Sequence, residues 1–301
     1  MLQSLKSLGF TELQEPEIKR TPEQEYLIGV YNDTLKTIMN DPDFSAAMID
    51  SQDRQYTILD DEVIKLNAVP RDKHAKVTVS KCRTIEAAEK YKDGKVCVLC
   101  FGSAYKRGGD ADEGSSGQEE DISRVSTVGE HMLTDAKNFY YLHSIKLKYR
   151  EGYYYPLFND DLFYIPDVLC FKTPTDTPAL RPREEWFKFD IITCIPPFMK
   201  YRPITDDQLS QLLYKRLERV FITAINNGAD NLILGAFGCG RCKIPPFIVA
   251  RVMMKLTEKY IYYFENIEFA VYCKPNERIN YTAFSRVFKI ESSGGYEINI
   301  I

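Results

Sequence analysis

From Val77 onward the chain alternates between short, almost wholly apolar runs and amphipathic runs of helical length, and this alternation constrains the fold more than any other feature. The strand-like runs are VTVS, KVCVLCF, FDIITCI, NLILGAF and IEFAVYC. Between and after them lie TIEAAEKYKDG (ending at Gly94), DQLSQLLYKRLERVFITAINNG (closed by Gly228), FIVARVMMKLTEKY and YTAFSRVF, all read as helices. QEEDISRVSTVGEHML also reads as one helix, with Ile122, Val125, Val128 and Met132 near one face. Strands apolar on both faces, alternating with helices, predict a mostly parallel or mixed sheet covered on both sides. The tyrosine-rich segment 139–171 fits the pattern less well. Its LFYIPDVLCF predicts extended structure broken at Pro166. Ahead of the alternation, residues 20–40 predict a helix capped by Thr21 with Pro22 at its first position. The first 75 residues read as a helical extension, with one larger unit over 76–301.

Composition narrows the class. With 301 residues, 44% hydrophobic and 27% charged, the chain can bury a sizeable core. A net charge of −4 argues against obligate binding to duplex nucleic acid, which calls for a basic surplus. No apolar run approaches bilayer length, so no membrane partner is expected, and the first 20 residues lack a secretory pattern. Eight cysteines are few for a disulfide scaffold of this length, and several sit inside apolar runs. Free buried thiols in a reducing, cytoplasmic compartment are the simplest reading.

Two loops carry candidate chemistry. The first, RGGDADEGSSGQEE, leaves a strand and opens a helix. That is the carboxyl end of a sheet strand, where open α/β folds bind ligands. Gly108 and Gly109 would let the backbone approach a ligand, and Glu119 and Glu120 would sit at a helix start. Carboxylates at that place can equally serve only to complement the helix dipole. The second loop, LGAFGCGRC, is another strand–glycine–helix unit whose free N–H groups suit a diphosphate, or which is a tight turn and no more. Neither fits the GK[ST] or GxGxxG phosphate patterns. Cys97 and Cys100, three apart on a strand, point to opposite faces and cannot share an ion. Cys239 and Cys242 form a lone CxxC that could be redox-active. His74, His131 and His143 show no metal spacing. No metal and no cofactor are expected.

Taken together the two loops resemble the microbial-type poly(ADP-ribose) glycohydrolases, a branch of the macrodomain fold. The family pattern GGG, about seven residues, then QEE stands here as Gly108-Gly109-Asp110, ADEGSSG, and Gln118-Glu119-Glu120. DISRVST continues the match. YIPDVLCFK, DIITCIPP, NLILGAFGCG and the closing FAVYCKPN…YTAFSRVF extend it over about residues 20–290. The resemblance implies a macrodomain-like three-layer α/β/α sandwich with a mixed sheet and an N-terminal helical extension. It implies hydrolysis of the ribose glycosidic bond of ADP-ribosyl groups, with ADP-ribose or an ADP-ribosylated macromolecule as substrate. Glu120 would be the acid that protonates the leaving oxygen and then activates water, and Glu119 would position the ribose hydroxyls. Gly108 and Gly109 would approach the ribose and phosphates, and Cys100, Asp110 and Gln118 would be substrate-binding residues beside them. Gly238, Cys239 and Gly240 would cradle the diphosphate through backbone N–H groups, and Phe237 would also be a substrate-binding residue.

Four positions depart from the family pattern. Asp110 replaces the third glycine and adds a negative charge that Arg107 or Lys106 would have to offset. Cys100 stands where the pattern has an asparagine that contacts the distal ribose. Arg107 replaces a proline, and Cys242 replaces an aromatic. These changes leave a second reading open, a non-catalytic or weakly active ADP-ribose-binding module.

Overall fold

The structure is a computed structural model and describes residues 19–131, 159–199, 204–290 and 297–301. Met132, His143 and the tyrosine-rich stretch up to 158 lie outside the described residues, as does most of the N-terminal segment read for a leader.

Among the described residues, eight strands form one sheet: β1 (Tyr56–Ile58), β2 (Lys76–Ser80), β3 (Val96–Phe101), β4 (Leu162–Cys170), β5 (Phe187–Cys194), β6 (Asn231–Leu234), β7 (Asn266–Ala270) and β8 (Ile298–Ile300). Their order across the sheet is β1-β4-β5-β3-β6-β7-β2-β8. β1, β4 and β5 pair antiparallel, and every other neighbouring pair is parallel. The mixed sheet expected from the alternation is therefore observed. β4 runs through Pro166 as a single strand, because a register shift between Ile165 and Val168 absorbs the proline as a bulge. Asp167 there takes a positive φ of 53°, and its N–H donates to Asp190 Oδ1 at 3.0 Å.

The α-helices among the described residues are α1 (Pro22–Asn40), α2 (Pro42–Gln52), α3 (Thr84–Glu89), α4 (Gln118–Val125), α5 (Val128–His131), α6 (Asp206–Asn226), α7 (Pro246–Tyr260) and α8 (Ile279–Ile290). α6, α7 and α8 cover one face of the sheet through Leu213, Leu217, Val220, Met253 and Phe284, packed on Leu99, Leu232, Ile267 and Phe269. α3 and α4 cover the other through Ile85, Ala88, Ile122 and Val125, packed on Val98, Ile191 and Ile233. Alternate residues of β3 divide between the two cores, with Cys97 in the first and Cys100 in the second. The chain is a three-layer α/β/α sandwich.

Three expectations need correction. TIEAAEKYKDG is helical only to Glu89 and finishes in turns, with Gly94 N–H donating to Tyr91 O. QEEDISRVSTVGEHML is not one helix. At Ser126 the backbone turns extended (φ −143°, ψ 172°) and pairs with Cys170. The Ser126 hydroxyl donates to Ile122 O, and Thr127 N–H donates to Leu169 O. Side-chain competition for the helix carbonyl and pairing to the end of β4 together outweigh helical continuation. The N-terminal extension is not wholly helical either. Its β1 joins the sheet edge, so a boundary after residue 75 divides a single sheet. The helix over 20–40 stands as expected, with a reciprocal capping box between Thr21 and Gln24.

The extension also packs on α4 itself. Thr34 Oγ1 donates to Arg124 O at 2.5 Å, and Arg124 Nε donates to Leu27 O at 3.3 Å. Lys172, almost wholly buried, pairs with Asp33 at 2.7 Å. A small apolar cluster of Ile38, Phe44 and Phe171 completes the seam.

Candidate active site

α4 begins at Gln118 directly beside the end of β3, and Gln118 holds the two together. Its Oε1 accepts from Phe101 N–H at 2.8 Å. Its Nε2 donates to Leu99 O at 2.7 Å and to Thr84 Oγ1 at 3.0 Å. The side chain assigned to the ligand from sequence thus locks the helix start onto strand β3 and α3. The next two residues fold back over the loop and away from the N–H groups of their own helix. Glu119 accepts from Ser103 N–H at 2.6 Å and from Gly108 N–H at 3.1 Å. Glu120 Oε1 accepts from Asp110 N–H at 3.1 Å. Both carboxylates are buried, at 5% and 8% exposure. Buried carboxylates held by backbone donors are more than complements to a helix dipole.

Gly109 and Gly117 close around Glu120. A Cβ at either would collide with its carboxylate, and Gly108 and Gly109 take φ of +70° and +59°. Only glycine fits both demands at Gly109. Gly108 and Gly109 sit behind the carboxylates and do not line the cleft, so they support the acidic pair where the sequence reading put them against the ligand.

The cleft in front of the carboxylates has a volume of about 940 Å³. Ser103, Asp110, Gln118, Glu119, Glu120 and Pro196 are among its walls, together with Gly238, Gly240, Arg241 and Cys242 of the β6–α7 loop. It meets a second cavity of about 630 Å³ at Phe101, Ser116, Gln118, Ala236 and Gly240. That cavity is bounded by Thr84, Ile85 and Tyr272 on the sheet side and by Glu23, Tyr26 and Leu27 of α1 on the other. Arg83 lies over the Tyr272 ring at 4.1 Å. The paired cavities lie at the carboxyl ends of β3, β5, β6 and β7 and are of a size that takes a nucleotide-like ligand.

Three further residues assigned to the ligand from sequence are not among the walls of the cleft. Cys100 is 2% exposed and packed in the core; burial, then Glu119 and Glu120, push its thiol well above the usual range. Phe237 is fully buried and meets Phe101 edge-on at 5.6 Å, where it props the loop from beneath. Cys239 N–H donates to Ala236 O at 3.1 Å and is committed within the turn, so Gly238 and Gly240 are the loop's glycines on the cleft. Gly238 takes φ +71°, and a Cβ there would strike Ile244 and Pro196. Burial raises the Cys239 thiol to about 12 and the Cys242 thiol to about 11, which leaves this CxxC without the thiolate that redox chemistry needs.

The charge on Asp110 is offset differently from the expectation. Arg241 reaches it across the cleft at 3.1 Å, while Lys106 stands 4.0 Å away and pairs more closely with Asp112 and Glu113. Arg107 points elsewhere, 3.9 Å from Glu130. Arg241 was missed from sequence, although a basic residue directly after a glycine loop is a signal for it. The α1 wall carried no such signal, because nothing in Glu23, Tyr26 or Leu27 announces what they face.

A mixed sheet covered on both faces, opening at its strand ends into a cleft with a buried acidic pair, defines a three-layer α/β/α protein with a ligand-sized site. Residues 42–173 match the family model for the microbial-type PARG (poly(ADP-ribose) glycohydrolase) catalytic domain, the family whose motifs the two loops resemble. The fold is that of the poly(ADP-ribose) glycohydrolase from Thermomonospora curvata, at a TM-score of 0.77 and 22% identity, covering 87% of this chain and 99% of that one. The same protein bound to the inhibitor ADP-HPD aligns at 0.75 and 21%, with the same coverage. The poly(ADP-ribose) glycohydrolase from Deinococcus radiodurans in complex with ADP-ribose aligns at 0.69 and 23%, covering 80% and 97%. No curated protein matches the chain by sequence.

Proposed function

We propose that the chain is an ADP-ribosyl glycohydrolase of the poly(ADP-ribose) glycohydrolase type, with Glu120 as its general acid and base. The observation that carries this is the Glu120 carboxylate itself. It is buried at the cleft wall, seated between two glycines, and held by one backbone N–H. In this reading protonated Glu120 gives its proton to the oxygen that leaves the ribose anomeric carbon, while that carbon gains oxocarbenium character. The resulting carboxylate then takes a proton from the attacking water. Glu119, fixed by Ser103 and Gly108, accepts from ribose hydroxyls. Gly238 and Gly240 border the diphosphate, and the base end of the ligand enters the cavity beside Tyr272. The ADP-ribose and ADP-HPD complexes of the two bacterial glycohydrolases support ADP-ribose as the group recognised. The eight free cysteines favour a cytoplasmic setting, and no helix among the described residues is long and apolar enough to cross a membrane.

The test is release of free ADP-ribose from poly(ADP-ribosyl)ated protein. Glu120→Gln keeps the acceptor oxygen for Asp110 N–H but cannot donate an acid proton. It is expected to lower turnover by about 10²–10⁴-fold, the usual contribution of a general acid–base group. Full turnover by the variant would sink the assignment. The core position of Cys100, where the family pattern has a ligand-contacting asparagine, favours the second reading of a binding module. ADP-ribose binding by the wild type with no release from it would establish that reading.

A further inference from the structure

We propose that Asp110 and Arg241 form an exchangeable ion pair across the cleft, in which Arg241 leaves Asp110 for the diphosphate of the incoming ligand. This inference rests on the reading of the cleft as an ADP-ribose site. The two residues stand on loops that leave the neighbouring parallel strands β3 and β6, so their bond spans the cleft between its two glycine-bearing loops. Both line the cleft that holds Glu119 and Glu120. Arg241 is anchored weakly. Its side chain is 80% exposed and reaches Asp110 with one nitrogen at 3.1 Å. An ion pair that open to water contributes little, and the guanidinium loses little by leaving it. A diphosphate offers the same guanidinium a charge-assisted, two-pronged contact of greater strength.

Asp110 makes the exchange selective. Without Arg241 it would be a third carboxylate beside Glu119 and Glu120, and would repel an anionic ligand. Its own N–H holds Glu120 Oε1, so its main chain belongs to the acidic socket while its side chain faces the cleft. Lys106, already 4.0 Å from Asp110 and shared with Asp112 and Glu113, remains to offset the charge when Arg241 departs. Asp110 thus acts as a stand-in anion that keeps Arg241 in place until a real one arrives.

The experiment is a double-mutant cycle on ADP-ribose affinity, measured by calorimetry at low and moderate salt, with adenosine as the uncharged control. Arg241→Ala is expected to weaken ADP-ribose binding by about tenfold or more, the equivalent of one charge-assisted hydrogen bond, with the loss shrinking in salt. Asp110→Ala frees Arg241 and is expected to tighten binding several-fold. The double variant is expected to fall between the two, and adenosine binding to change with neither. Arg241→Ala binding ADP-ribose as tightly as wild type, or Asp110→Ala binding it more weakly, would overturn the exchange while leaving the functional reading intact. Absence of ADP-ribose binding by the wild type would remove both. Thermal unfolding of each variant, expected near wild type because both side chains reach solvent, separates a binding effect from misfolding.

Discussion

Gly109 shows how much of the site depends on single atoms. It sits at φ +59°, and a methyl group there would meet the Glu120 carboxylate. Gly109→Ala therefore carries two burdens, a left-handed backbone that costs an L-residue about 1–2 kcal/mol and a displaced acid. The expected outcome is a folded protein, less stable by about that amount in urea, whose ADP-ribose release falls far more than its stability does. A loss of turnover no larger than the loss of folded protein would show that Glu120 tolerates the shift. Residue types were legible before the structure. The glycines, the acidic pair and the glycine loop after β6 were all picked out from the sequence. Which of them line the cleft was not. Gly108, Gly109, Cys100, Phe237 and Cys239 are not among its walls, because side-chain direction and hydrogen-bond commitment are tertiary facts.

At the level of elements, α1 is the piece whose role was least visible. Its amphipathic pattern and Thr21 cap announced a helix, and the capping box with Gln24 is formed. That its first turns close one side of the second cavity followed from neither. Removing the cap tests the link. Thr21→Ala is expected to cost about 1 kcal/mol of stability, with hydrogen exchange faster at the start of α1 and unchanged in β3. Uniform acceleration across the molecule would mean that α1 does not open on its own. β1 and β8, three residues each, went unread because runs so short have no periodicity to detect. The break at Ser126 was invisible for another reason: Ile122, Val125 and Val128 satisfy a helical spacing that the pairing to β4 overrides.

Across the whole molecule, buried charge pairs tie the extension and the loops to the sheet, and they set the acid limit of the fold. The Arg181 hydrogen bond holds Glu89 below the usual carboxylate range. Burial pushes Asp160 up, but Arg216 and Lys215 outweigh it and hold this carboxyl below its usual value. Such depressed groups give stability that is fully present above their unfolded pKa and lost as pH falls through the folded one. Asp121 works in the opposite sense, because burial outweighs Arg83 and Arg124 and raises it. Its contribution favours the folded state below its unfolded pKa and is lost as pH rises through the raised one. Loss of the ion pairs of Glu89 and Asp160 on protonation predicts that the urea midpoint falls below about pH 4, where ordinary carboxylates protonate. A midpoint unchanged from pH 6 to 3.5 would refute that expectation. By itself the sequence determined the layered α/β class, the position of both loops, and the acidic pair at the start of α4, because these follow from local periodicity and from motifs contiguous in the chain. Only the tertiary structure decided that the N-terminal segment walls the second cavity, that Arg241 offsets Asp110, and which glycines serve the carboxylates. Those depend on packing between residues up to about a hundred positions apart or more, and on directions that chain order does not encode.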